Sequence, residues 1–278
     1  MKYLLLLLTI FSSPSYADDL SACLKNAKDL GSRVKLQPKK TCYDLIKKHP
    51  ERIEVSSPSG NYHILAMGSI LYLDHLDKAA RKLVNRYVLA GDQTDMSNIQ
   101  KVWIHEKKKR ILILEAGNPK GLLTQTLGAI SNTAPLRHFK SPILNNVTQV
   151  KLLDDREELA LISVSAKSIR FINADADSVR YKGGKFMPLL LRQISGEQSD
   201  LEEPLDVAIS DQNKEIYVLD SQKILVYSIP LAKDSKPKTV IPLDEELKDP
   251  VAIELGAQPD SIMVIQKSGE VTKVALKQ

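Results

Sequence analysis

From residue 53 onward the apolar residues come in short runs separated by turns rich in Gly, Asp, Asn, Ser and Lys. Ile111-Leu-Ile-Leu114 and Ile216-Tyr-Val-Leu219 are continuous apolar runs, as expected of inner strands buried on both faces. Ile224, Val226 and Ile229 mix with polar neighbours, the pattern of an outer strand. Asp211-Gln-Asn-Lys214 and Ser268-Gly269 read as tight turns between strands. No stretch after residue 50 has a long, well-capped helical pattern. The best exception, Asp77 to Leu89, stands where an outer strand is due, and we read it as strand.

The strands recur in units: Gly60 to Leu73, Val102 to Gly117, Val150 to Ile172, Val207 to Ser228 and Val251 to Leu276. The starts at 102, 150, 207 and 251 are 48, 57 and 44 residues apart, and the first unit begins near Ile53. A period of about 40 to 50 residues with three or four strands per unit is the signature of a β-propeller blade. A second repeat has an offset of 105: Leu89-Ala-Gly-Asp-Gln-Thr-Asp-Met96 leads to Val102-Trp-Ile104, as Ile194-Ser-Gly-Glu-Gln-Ser-Asp-Leu201 leads to Val207-Ala-Ile209. Each falls between an outer strand and the next inner one, and its Gly and Asp suit a structural crossing between blades. The expected fold is all-β, a β-propeller of about five four-stranded blades over 51–278, or six if 117–150 hides a degenerate unit. The last unit ends after its third strand, so an N-terminal strand, Arg33 to Leu36 or Ile53 to Val55, is expected to complete that blade and protect its edge.

The N-terminus departs from this pattern. Lys2, the apolar run Leu4 to Phe11, Pro14 and Ser15-Tyr16-Ala17 read as a signal peptide over 1–17. The run is too short for a spanning helix, which needs about 20 apolar residues. Residues 18–50 read as a short extension of two helices with Leu20, Cys23, Leu24 and Ala27 on one face, then Cys42, Leu45 and Ile46. Cys23 and Cys42 are the only cysteines, and an even count in an exported chain predicts a disulfide. A bridge closing a loop of this size contributes about 3 kcal/mol in the chain-entropy model. A competing reading takes Leu20-Ser-Ala-Cys23 as a lipobox with Cys23 lipidated, although Asp18 and Asp19 interrupt its apolar approach.

Composition narrows the function. The chain has 278 residues, 26% charged and 43% hydrophobic, which suits one or two globular domains. Its net charge of +5 is spread along the chain, and with 5% aromatic residues a stacking platform for single-stranded nucleic acid is not expected. Glu106-Lys-Lys-Lys-Arg110 is a dense basic run at a strand turn and reads as a solvated hairpin. The histidines, His49, His63, His75, His105 and His138, have no metal-motif spacing. No G-x-S-x-G elbow occurs, Gly183-Gly184 reads as a hairpin turn, and the sequon Asn146-Val-Thr148 is idle in a bacterial exported protein.

Pro204-Leu-Asp-Val-Ala-Ile-Ser-Asp-Gln-Asn-Lys-Glu-Ile-Tyr-Val-Leu-Asp220, followed by Lys223-Ile-Leu-Val-Tyr227, resembles an NHL-type β-propeller repeat. Pro250-Val-Ala-Ile253 with Ser261-Ile-Met-Val264 repeats it loosely, and Arg192 to Pro204 resembles the linker between blades of exported bacterial propellers. The resemblance is strongest over 192–230, fainter over 86–117, and covers at most 53–278. It implies either a protein-binding module or a lactonase-like hydrolase with a metal held by carboxylates from several blades. Asp220 is the candidate ligand, but its equivalents are Glu115, Ser163 or Ser165, and Gln266, so repeated carboxylates are lacking and a structural role is favoured. The expectation is therefore a non-catalytic binding or scaffold protein with a protein partner and no cofactor, metal, nucleic acid or membrane span. It is expected to be periplasmic or secreted, or, if Cys23 is lipidated, an envelope lipoprotein. The alternative is the metal-dependent hydrolase.

Overall fold

A computed structural model describes residues 20–23 and 42–276, apart from 58, 78, 81, 130–132, 154–157, 174–178, 181–185, 188–189, 232–235 and 259–260. The expected signal peptide, the Arg33 to Leu36 strand and Gly183-Gly184 lie outside the described residues. The chain divides into two compact units, Met1–Pro142 and Ile143–Gln278.

The first unit holds two antiparallel sheets with strands in chain order. One is β1 (Ile53–Ser56), β2 (Tyr62–Met67), β3 (Ile70–Asp77) and β4 (Lys82–Leu89); the other is β5 (Ile99–His105), β6 (Arg110–Glu115), β7 (Gly121–Thr126) and β8 (Arg137–Lys140). They bury their facing sides against each other, Ile64, Ala66, Leu71 and Leu73 meeting Val102, Ile111, Ile113 and Leu123. The expected strand within Asp77 to Leu89 is β4.

The second unit holds three sheets. The first is β9 (Gln149–Leu153), β10 (Glu158–Ser163), β11 (Ser168–Asn173) and β14 (Leu190–Ile194), with the hairpin β12 (Val179–Arg180) and β13 (Phe186–Met187) inserted before its last strand. The second is β15 (Pro204–Ser210), β16 (Glu215–Asp220), β17 (Lys223–Ser228) and β18 (Thr239–Pro242). The third is β19 (Pro250–Leu255), β20 (Ser261–Gln266) and β21 (Val271–Ala275). Ala160, Ile162 and Phe171 pack against Ile216, Val218 and Tyr227, and Tyr217 and Leu219 pack against Ile253, Ile262 and Val264. Both faces of β16 are thus used, which is why Ile216 to Leu219 is apolar without alternation.

These are five propeller blades, and 117–150 contains β7, β8 and a crossing rather than a sixth. Three expectations need correction. The run Ile224 to Tyr227 is a buried third strand, and the outer strand of that blade is β18, whose Thr239 and Val240 are exposed. Ile53 to Val55 does not complete the last blade: it pairs with β2, Val55 opposite Ile64, because the short Ser57–Asn61 turn makes that hairpin the cheapest closure. The last blade consequently has three strands among the described residues rather than four.

The extension is helical at 20–23 and again in α1 (Cys42–Lys48). Cys23 and Cys42 form a disulfide with an S–S distance of 2.08 Å. Leu20, Tyr43 and Ile46 lie on Leu65, Ile70 and Tyr72 of the first blade, and each buried apolar side chain is worth about 1.5–3 kcal/mol. A polar clamp fixes the contact. Arg86 donates to both oxygens of Asp74 at 2.6 and 2.8 Å, Tyr43 donates its hydroxyl to Asp74 at 3.2 Å, and the Arg86 guanidinium lies 3.5 Å from the Tyr43 ring centroid. Burial, helped by the Asp74 charge, raises the Tyr43 pKa, so the phenol stays a donor.

Candidate functional site

The densest polar chemistry lies where one blade crosses to the next. Both copies of the 105-offset repeat fold alike. Gly91 (φ 113°, ψ 172°) and Gly196 (φ 93°, ψ 169°) start a single 3-10 turn, and Asp95 (φ 55°) and Asp200 (φ 58°) end it in the left-handed region. The glycine conformation is barred to residues with a Cβ, and Asp tolerates the left-handed one. Thr94 and Ser199 each donate a hydroxyl to the carbonyl of their glycine at 2.6 Å. Met96 and Leu201 then enter the cores.

The side chain closing each second strand caps this crossing. Asp220 accepts from the N–H of Glu202 at 2.9 Å, Glu203 at 3.0 Å and Ser221 at 2.8 Å. Glu115 Oε1 accepts from the N–H and hydroxyl of Ser97, and Gln266 Oε1 accepts from the N–H of Lys248 at 2.9 Å. The candidate ligand Asp220 and two of its equivalents, Glu115 and Gln266, are therefore backbone caps. The fourth, Ser163, receives the N–H of Ala166 in its own turn.

Behind the caps the two units differ. Across from Glu115 stands Gly121, and a Cβ there would lie 2.6 Å from Glu115 Oε2 and 3.0 Å from His138 Nε2. The vacated space admits His138 from β8, whose Nε2 is 3.1 Å from Glu115 Oε2 and whose Nδ1 is 3.6 Å from Asp95. Burial raises the pKa of Glu115, but the facing His138 and the Ser97 bonds outweigh it and hold the carboxyl below its usual range. In the second unit the residue across from Asp220 is Lys223, which reaches Glu202 at 2.8 Å and Asp200 at 3.2 Å. Tyr227 closes that crossing by donating its hydroxyl to the Ser199 carbonyl. Burial, reinforced by Asp200 and Asp220, keeps this phenol protonated well above the ordinary range. Sequence reasoning missed the Glu115–His138 pairing. Its only trace is a glycine at 121 where the second unit has Lys223.

A second joint links three blades of the second unit. Lys151 Nζ donates to Asp206 at 2.7 Å and to the Ile253 carbonyl at 2.8 Å, and the Ile253 N–H donates to the same Asp206 oxygen at 2.9 Å. Strands β9, β15 and β19 are tied together there.

The remaining candidates are separate. His49 and His105 accept local N–H groups, His63 meets Glu54 at 3.0 Å, and His75 stacks on Tyr62 with centroids 4.9 Å apart. Glu106 of the basic run is drawn into the first blade's turn by the N–H and hydroxyl of Ser59, while Lys107 and Lys109 are exposed. Asn61, His75, Asp77 and Val84 line an open groove of about 620 Å³. Among the described residues no three His, Cys, Asp or Glu side chains form a metal-sized group.

The fold and these joints define a β-propeller protein. No family model matches the chain, and no curated protein sequence does. Among solved structures it is similar to a functionally unknown protein from Desulfotomaculum acetoxidans, at 10% identity over 80% of this chain and 68% of that one, with a TM-score of 0.51. Hsv2 from Kluyvelomyces marxianus is also matched, at 11% identity over 78% and 82% with a TM-score of 0.46. At such identity the first likeness speaks for the fold alone.

Proposed function

We propose that this chain is a non-catalytic binding or scaffold protein of an oxidising, exported compartment, built on NHL-type repeats, that holds a protein partner on its blade surfaces. The observation carrying this reading is the occupation of the strand-end polar groups. Asp220, Glu115 and Gln266 each accept a backbone N–H, which supports a structural use of these strand-end positions. Rigid sheets joined by varied turns suit recognition. The Cys23–Cys42 bond supports export, because disulfides persist in oxidising compartments. The same bond uses the sulfur that a lipid thioether at Cys23 requires, which favours the periplasmic or secreted form over the lipoprotein.

The test is a scan of genetically encoded photocrosslinkers over exposed turn and edge positions in the native host. The expected result is one adduct species, by mass spectrometry, from a contiguous set of positions. No adduct from any position overturns the reading. Calorimetric titration with Ca²⁺, Mg²⁺ and Zn²⁺ checks the hydrolase alternative, which requires binding of one of them and a lactonase activity lost to chelator.

A further inference from the structure

Four third strands in this protein carry a fourth antiparallel strand: β3 pairs β4, β7 pairs β8, β11 pairs β14 and β17 pairs β18. Among the described residues β21 pairs only with β20. With no fourth strand among the described residues, its outer row of N–H and C=O groups is a template for one. The adjoining sheet face is open too. In the preceding blade the corresponding side chains, Ala208, Tyr217, Leu219, Ile224 and Val226, are all buried. In the last blade Met263 and Ile265 are only half-buried, and Val271, Lys273 and Ala275 are exposed.

We infer that β21 is a docking edge for an extended, acid-bearing segment of a partner protein, which adds as the fourth strand of the last blade. This deepens the proposed function and rests on it. The register follows from β17 and β18, where Ile224 opposes Ile241 and Val226 opposes Thr239. Strand pairing aligns Val271 with Ile224 and Lys273 with Val226. The guest therefore sets a β-branched or apolar residue opposite Val271 and, two positions earlier in its own chain, an acid opposite Lys273, whose Nζ would trade its exposed 2.8 Å bond to the neutral Gln258 side chain for a carboxylate. Opposite charges directly across a strand pair stabilise it, and like charges destabilise it. That lysine also argues against a second copy as occupant. Two-fold antiparallel pairing of β21 with itself, keeping faces matched, sets Lys273 against Lys273, Val271 or Ala275 within the strand, never against an acid. An edge lysine thus discourages self-association while admitting an acidic guest.

The test is amide hydrogen exchange on the intact exported protein, alone and with a synthetic strand peptide carrying glutamate two positions before isoleucine. The control peptide has lysine in place of that glutamate. The expected result is fast exchange of the edge-facing amides of Val271–Ala275 in the free protein. The glutamate peptide slows it at least about tenfold and the lysine peptide does not. Lys273→Glu reverses that preference. Edge amides already protected at every protein concentration mean that the chain covers its own edge, and protection rising with concentration means a second copy; either overturns the inference. So does the absence of protection by the glutamate peptide. Photocrosslinks to a partner elsewhere, with no peptide protection, defeat this inference and leave the proposed function standing, whereas no photocrosslink anywhere defeats the function itself.

Discussion

The two crossings, Gly91–Met96 and Gly196–Leu201, share a backbone and differ in what stands behind it. Both use a glycine that no other residue replaces, a hydroxyl folded back on its carbonyl, and a left-handed aspartate. Both are capped from the end of the second strand. The shorter cap, Asp220, leaves room for Lys223 across from it, while the longer cap, Glu115, needs Gly121 there and takes His138 as its neighbour. One geometric demand, satisfying the N–H groups that enter the next blade, is met by two side-chain sets that cannot be exchanged singly.

The strongest way to break the comparison is Asp220→Ala. It strands the N–H groups of Glu202 and Glu203, and two unsatisfied donors cost about 1–3 kcal/mol each, so urea unfolding should show a loss of about 3 kcal/mol. An unchanged midpoint would mean that water caps this crossing equally well. Next is Gly121→Lys, which places the second unit's residue in the first. Overpacking against Glu115 and His138 should cost about 1–3 kcal/mol. Adding Glu115→Asp should recover part of that loss, and the double-mutant cycle should show coupling above about 0.5 kcal/mol. Strict additivity would refute the size-matching argument. Thr94→Val and Ser199→Ala should each cost about 1 kcal/mol, since each removes the same hydroxyl-to-carbonyl bond, with Thr94→Val the larger because the Thr94 hydroxyl also accepts the N–H of Met96 at 3.3 Å. A larger loss for Ser199→Ala would show that the two backbones are not under the same load.

The smallest effect concerns acid. The carboxyl of Glu115 has a folded-state pKa below its unfolded one. Its stabilisation is therefore complete above the unfolded value of about 4.3 and is lost as pH falls through the folded value. Glu115→Gln keeps the acceptor for Ser97 but removes the titration, so its stability should fall less steeply than the wild type's across the acid limb. Parallel acid profiles would show that the charge facing His138 contributes nothing.

Much of this was legible along the chain because it depends on short-range chemistry. Continuous apolar runs at Ile111–Leu114 and Ile216–Leu219 declared strands buried on two sides, and the spacing of turn residues declared blades. The matching Gly and Asp of the two crossings declared a shared backbone, because a glycine with φ near +100° has no substitute. The structural role of Asp220 followed from the lack of repeated carboxylates at its equivalents. An even pair of cysteines declared the disulfide. What misleads is local polarity: Ile224, Val226 and Ile229 among polar neighbours suggest an outer strand, although the next blade buries Ile224 and Val226.

Tertiary structure alone decided the rest, because those features join residues far apart in sequence. The meeting of Glu115, His138 and Asp95 needs β6, β8 and the crossing in register, and nothing in their spacing announces it. The same holds for Lys151, Asp206 and Ile253, drawn from three blades, and for Asp74 with Arg86 and Tyr43, which clamp the extension. Whether Ile53–Val55 completes the last blade or opens the first is a contest between a local hairpin and a long closure. The hairpin closes a loop of a few residues and needs far less ordering entropy, so β1 stays with β2 and, among the described residues, β21 keeps β20 as its one strand partner.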